Sequence, residues 1–303
     1  MTQSPLTVVG VPTSAGAHYA GQETAPKAFR DGGLIERLRA AGADVVDVGD
    51  IPGALFATDQ RHPRHRNLEA VVAVARRVAD ATQHVIAAGR VPLVLGGDCT
   101  LTLGVVSGAQ REQPDVGLLY FDGDADLTTP TTTRSGILDS MGVSHLLGRA
   151  DTELAALDRP APMLADDHLV MLGYNPDDAD SFPAGALDAH PGVAHVSGRT
   201  LQQSRAEQVP PIVSDLAART TSVVVHFDVD AVDSSDLPLG NYPHYGVGVT
   251  LDVAGRVLAA LCSAPRVSAI FLTEVNPGHD PSGRHLQRYL DAVVPAVTAW
   301  PAT

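Results

Sequence analysis

Apolar residues fall into short runs separated by longer stretches of mixed polarity. The runs at 6–10, 43–48, 91–95, 116–121, 169–173, 222–227 and 267–272 are rich in Val and Leu. Their length and content predict strands, several of them buried on both faces. Between them, Leu68, Val71, Val72, Val74, Val78 and Ala79 recur at helical spacing, which predicts a helix over 67–88. Further helices are predicted from Pro26, well placed near a first turn, to about 41, after Thr100, and over 251–261 and 284–298. Strands alternating with helices imply an α/β fold with a mostly parallel sheet covered on both faces. No internal repeat, linker or composition break divides the chain, so 1–303 is read as a single domain.

Polar punctuation at the strand ends changes the picture. The run 116–121 leads into Asp122, Asp124 and Asp126, three carboxylates at alternate positions. One such motif alone is most simply a solvated acidic loop. But Cys99, Asp177, the pair Asp228 and Asp230, and Glu274 also follow apolar strands at their carboxyl ends. Ligands of open α/β sheets bind outside those ends. Carboxylates gathered at one point repel unless neutralised, and a divalent cation with oxygen ligands is the usual answer.

Composition narrows the partners. A net charge of −14 argues against nucleic acid or an anionic membrane surface. Two cysteines, Cys99 and Cys262, are too few for a disulfide framework. Residues 1–5 lack the basic and apolar segments of a secretory leader, and no stretch approaches a membrane span. The expectation is a soluble cytoplasmic protein with reduced thiols.

With these motifs assembled, the chain resembles the ureohydrolase family, which includes arginase, agmatinase and formiminoglutamase. The matching segments are Leu95-Gly-Gly-Asp-Cys-Thr100, Phe121-Asp-Gly-Asp-Ala-Asp-Leu127, Ser135-Gly136, Phe227-Asp-Val-Asp-Ala-Val-Asp233 and Glu274-Val-Asn-Pro277. They keep the family's order over nearly the whole chain. The resemblance implies a three-layer α/β/α fold, a homo-oligomer (trimer or hexamer), and two divalent metal ions, Mn above all. It implies hydrolysis of a C–N bond in a guanidino compound, releasing urea or an analogue. By position it implies the metal ligands Cys99, Asp122, Asp124, Asp126, Asp228 and Asp230, with Glu274 under the guanidinium. Thr128, Thr133, Ser135 and Asp177 align with the loops that hold the substrate's amino-acid end.

The departures are informative. The family's first and third ligand positions are usually His; here they are Cys99 and Asp124. A His used in proton transfer aligns with Asp139. Five carboxylates and a thiol would make the ionised set two charges more negative than the usual four carboxylates and two imidazoles. The thiolate is soft and favours Zn at its position. Asp139 needs a raised pKa to move protons near neutrality; a substrate with a better leaving group, such as an N-hydroxylated guanidine, relaxes that demand. His18 and Tyr19, at the end of the first strand, could line the cleft mouth, and His18 is one candidate to replace the absent His. His226 and His244 are left without a role. The other reading is a degenerate homologue that binds a ligand without turnover.

Overall fold

The computed structural model describes residues 5–299. Residues 1–4, part of the segment read above as lacking a leader, lie outside them. Eight strands form one sheet: β1 (Leu6–Gly10), β2 (Val45–Asp50), β3 (Val91–Leu95), β4 (Val116–Phe121), β5 (Leu169–Leu172), β6 (Ala194–Val196), β7 (Ser222–Asp228) and β8 (Val267–Thr273). Their order is β2-β1-β3-β8-β7-β4-β5-β6 and every pairing is parallel. The helices are α1 (Ala25–Asp31), α2 (Leu34–Ala40), α3 (Leu68–Ala87), α4 (Leu101–Glu112), α5 (Gly142–Leu146), α6 (Gly198–Ser204), α7 (Val209–Arg219), α8 (Leu251–Cys262) and α9 (Arg284–Val297).

The period-two alternation of the strands sorts the core into two clusters. Leu119, Phe121, Val225 and Phe227 face Phe29, Val213, Val257 and Tyr289, on one helical layer. Leu118, Tyr120 and Val224 face Val71, Val78, Leu101 and Val105 on the other. The three layers α/β/α follow directly. Cys262 is a core thiol on α8, fully buried.

Two sequence expectations shift. The single helix expected over 26–41 is two, because Gly33 adopts a left-handed φ of 84° that restarts the chain as α2. The short edge strand β6, which has no buried residue, and the helices α5, α6 and α7 are additional elements.

Order and register place the site. The path from β3 to β4 skips two positions, which β8 and β7 later fill. Phe121 pairs with Phe227, Phe227 with Leu272, Asp228 with Thr273, and Leu95 with Leu272. Four adjacent strands therefore end level, and the residues just beyond them share one edge: the crevice position of an open α/β sheet. Among the described residues, no helix is long and apolar enough to cross a membrane.

Candidate metal centre

Each strand end is shaped by its own local chemistry. Asp122 Oδ1 accepts the Asp124 N–H at 2.7 Å, and Asp228 Oδ1 accepts the Asp230 N–H at 2.7 Å. Asp230 Oδ1 reaches across to the Gly123 N–H at 3.0 Å. A Cβ at Gly123 would lie 2.5 Å from the Asp230 carbonyl oxygen, so only glycine lets these two loops touch. One oxygen of each carboxylate is thus tied to backbone, and the other is aimed inward. Asp126 (φ 50°) and Glu274 (φ 63°) hold left-handed backbone that non-glycine residues rarely adopt. Such strain concentrates at functional sites.

Inward, the groups meet. Cys99 Sγ donates to Asp228 Oδ2 at 2.8 Å and to Asp122 Oδ2 at 3.5 Å. Its backbone N–H is shared by Asp139 Oδ1 and Glu274 Oε1, both at 2.9 Å. Gln22 Nε2 donates to Glu274 Oε2 in a short contact. Asp126 lines the same small cavity, but its Oδ2 takes the buried Tyr120 hydroxyl.

Two histidines join this cluster. His226, fully buried on β7, lies on the same strand face as Asp228, two residues on. Its Nε2 is 3.3 Å from Asp122 Oδ2 and 3.6 Å from Cys99 Sγ, while Nδ1 bonds Thr102 Oγ1 at 2.7 Å. Tyr120 stacks on its ring at 4.0 Å between centroids. His244, from the loop after β7, puts Nε2 3.6 Å from Asp124 Oδ2 and 3.8 Å from Asp230 Oδ2. Those distances are ionic contacts but too long for hydrogen bonds. The alternation that pairs 226 with 228 was available in the sequence; nothing there placed His244.

Charge crowding governs the protonation. Burial first, then Asp230, pushes Asp122 well above the ordinary carboxylate range. Burial and then Asp124 do the same to Asp126, and burial and then Asp230 to Asp228. Burial and then Asp228 keep the Cys99 thiol protonated. Burial would also raise Asp230, but the His244 charge and hydrogen bonds such as that from the Gly123 N–H outweigh it and hold it low. Burial opposes the charge on His244, yet Asp124 and Asp230 carry its imidazole up to about 11. Burial takes His226 the other way, down to about 3. Asp139 and Glu274 accept from the same Cys99 N–H, and both rise, through burial first and then through Asp98 for Asp139 and through Asp139 for Glu274.

The residues suit a pair of divalent ions. The donors include carboxylates, a thiol and two imidazoles in two sets, Cys99 with Asp122, His226 and Asp228, and Asp124 with Asp230 and His244; within each, donor atoms lie within 4.8 Å of one another. Asp124 Oδ1 and His244 Nε2 are buried without a hydrogen-bond partner, which a cation would satisfy.

A wider cavity of about 340 Å³ opens beside the cluster and shares His18, Asp124, Ser140 and Tyr242 with it. Thr128, Thr133 and Ser135 line it, together with Arg134 and Asp178. Asp177 does not: its exposed side chain turns toward Arg199 at 3.6 Å, and the next residue, Asp178, takes the inward place. His18 lines both cavities and stacks on Tyr242; Tyr19 points to solvent, 63% exposed. Asp233 serves its turn, accepting from the Ser235 and Gly246 N–H groups.

Residues 4–295 match the family model described as the arginase family. Arginase from Bacillus caldovelox is 29% identical over 276 residues, 90% of this chain and 91% of that protein. Its solved structure superposes with a TM-score of 0.84 at 26% identity, covering 98% of each chain. Formimidoylglutamase from Bacillus subtilis shares the fold at 18% identity, with a TM-score of 0.74 over 99% of this chain and 87% of that one.

Proposed function

The chain belongs to the arginase family, and on that premise we propose that it is a metal-dependent hydrolase cleaving a C–N bond of a guanidino amino acid, with an N-hydroxylated arginine-like substrate favoured over arginine. The observation that carries the reading is the convergence of Cys99, Asp122 and Asp228 on one buried point, with Asp230 lining the same small cavity, beside a larger cavity of substrate size. When bound there, two divalent ions, Mn or with Zn at the Cys99 side, would lower the pKa of a water and so supply the nucleophile.

The chain's own residues do the rest. Glu274 is buried at the floor, held by Gln22 and the Cys99 N–H. A carboxyl group so placed hydrogen-bonds a planar guanidino group and fixes its carbon. Asp139 sits beside Glu274, both accepting from the Cys99 N–H. Its pKa is raised mainly by burial rather than by the neighbouring carboxylates alone, which brings it toward the range a proton carrier needs. Water adds to the guanidino carbon, the bond to the side-chain nitrogen breaks, and Asp139 returns a proton to that departing amine. Farther out, Arg134 and Asp178 offer opposite charges to the carboxylate and ammonium of an amino-acid head.

N-hydroxylation acts on the electrophile. The added oxygen withdraws electrons and lowers guanidine basicity, so more of the substrate is neutral and open to attack. That suits a site whose proton carrier is a carboxylic acid. The test is a panel of arginine, N-hydroxyarginine, agmatine and formiminoglutamate with Mn- or Zn-loaded protein, scoring urea, hydroxyurea and amine release. Hydroxyurea and ornithine from N-hydroxyarginine, faster than urea from arginine, is the expected result. No release from any of them by protein holding two ions would favour the ligand-binding homologue.

A further inference from the structure

The family pattern places imidazoles at the first and third ligand positions, and this chain has Cys99 and Asp124 there. Yet two imidazoles stand beside those same two residues, brought by other segments. We propose that His226 and His244 each ligate one of the two ions, so that both nitrogen donors re-enter from new positions and the Cys99 side becomes a zinc-type centre. This rests on the metal-dependent reading above.

The geometry supports it at each end. Around an ion with bonds of about 2.0–2.3 Å, tetrahedral donors lie about 3.3–3.8 Å apart. The contacts among Cys99 Sγ, His226 Nε2 and Asp122 Oδ2 are 3.3, 3.5 and 3.6 Å, three edges of one such tetrahedron. Cys99 Sγ to Asp228 Oδ2, at 2.8 Å, must open once the thiol proton leaves. His226 is also aimed: Thr102 fixes Nδ1, Tyr120 stacks on the ring, and Nε2 is turned to the site. Ligating histidines are commonly oriented through the other ring nitrogen in this way.

His244 is the independent observation. Its side chain is 5% exposed and its Nε2 has no hydrogen bond, though it points between Asp124 and Asp230 at 3.6 and 3.8 Å. An even stand-off from two leaves room for a shared ion. The Cys, His and Asp set at position 99 is borderline-soft, which selects Zn or Co over Mn.

The experiment uses the full chain, stripped with chelator and dialysed against Zn(II), with metal read by elemental analysis. Wild type should hold about two ions per chain, and His226→Ala and His244→Gln about one each. Circular dichroism of the chelated variants checks that they fold. Moving the imidazole back, in Cys99→His/His226→Ser, should restore the second ion. With Co(II) as probe, a sulfur-to-cobalt charge-transfer band should appear in wild type and vanish in Cys99→Ser, and His226→Ala should alter the ligand-field bands. Two ions held with unchanged affinity by both single variants would overturn this inference and leave the hydrolase reading standing. Less than one ion in wild type would overturn both.

Discussion

Removing the ions should destabilise the fold, and by more at neutral than at acid pH. Asp122, Asp126, Asp228, Asp139 and Glu274 are buried together with carboxyl pKa values raised well above the ordinary 3.8 to 4.5. A group raised in the folded state gives stability that is complete below its unfolded pKa. That stability is lost as pH climbs through the folded value. Chelated protein should therefore weaken as pH rises above about 4, by up to ~1.4 kcal/mol per pH unit for each proton the fold retains. Bound cations reverse the preference, since they hold the same oxygens ionised. An ion present at a hundredfold over its Kd contributes about 2.7 kcal/mol, or about 5 kcal/mol for two. For a chain of this size that is a rise in Tm of roughly 10 °C. Thermal unfolding at pH 5.5, 6.5 and 7.5, with and without Zn or Mn, measures it. The metal increment should grow with pH. A Tm that ignores metal at pH 7.5, or an increment that shrinks as pH rises, would mean that these carboxylates hold no ion.

Other outcomes follow from single contacts. Cys99→His should raise Mn occupancy at that side, read by elemental analysis after dialysis, because it exchanges a soft donor for a borderline one; unchanged occupancy would argue that position 99 holds no ion. Arg134→Ala should raise KM for arginine-like substrates about tenfold while sparing kcat, and leave agmatine, which has no carboxylate, nearly unaffected. Equal loss on both would remove Arg134 from head-group binding. His145 is buried on α5 and held down to about 4, burial being the main cause. A base with a depressed pKa gives stability above 6.5 that is lost as pH falls toward 4. His145→Leu should flatten denaturant stability between pH 6.5 and 4, where wild type loses up to ~3 kcal/mol; an unflattened profile would place the acid sensitivity elsewhere.

Much of this was legible because strand and chemistry are punctuated together. Val116–Phe121 and Val267–Thr273 read as apolar runs, and polar residues mark their ends. Parallel order then forces those ends onto one edge. What escaped was carried by single residues in unfavourable contexts. His226 sits inside the run Ser222–Asp228 and reads as strand filler until Thr102 and Tyr120 are seen to aim it. His244 lies in a loop whose path is set by Val232 pairing with Val249 and by the Ser234 N–H donating to the His244 carbonyl at 2.7 Å, contacts no local pattern announces. Asp177 and Asp178 differ by one step in a turn, and one step is enough to exchange cavity for solvent.

In the proposed reading, four strand ends pool their side chains around two cations that ready a water for attack. Anomalous diffraction from crystals grown with Zn and with Mn tests it most directly. Two peaks are expected, one among Cys99, Asp122, His226 and Asp228 and one among Asp124, Asp230 and His244. Crystals rich in either metal that show these carboxylates splayed apart around solvent, with no anomalous signal between them, would contradict it.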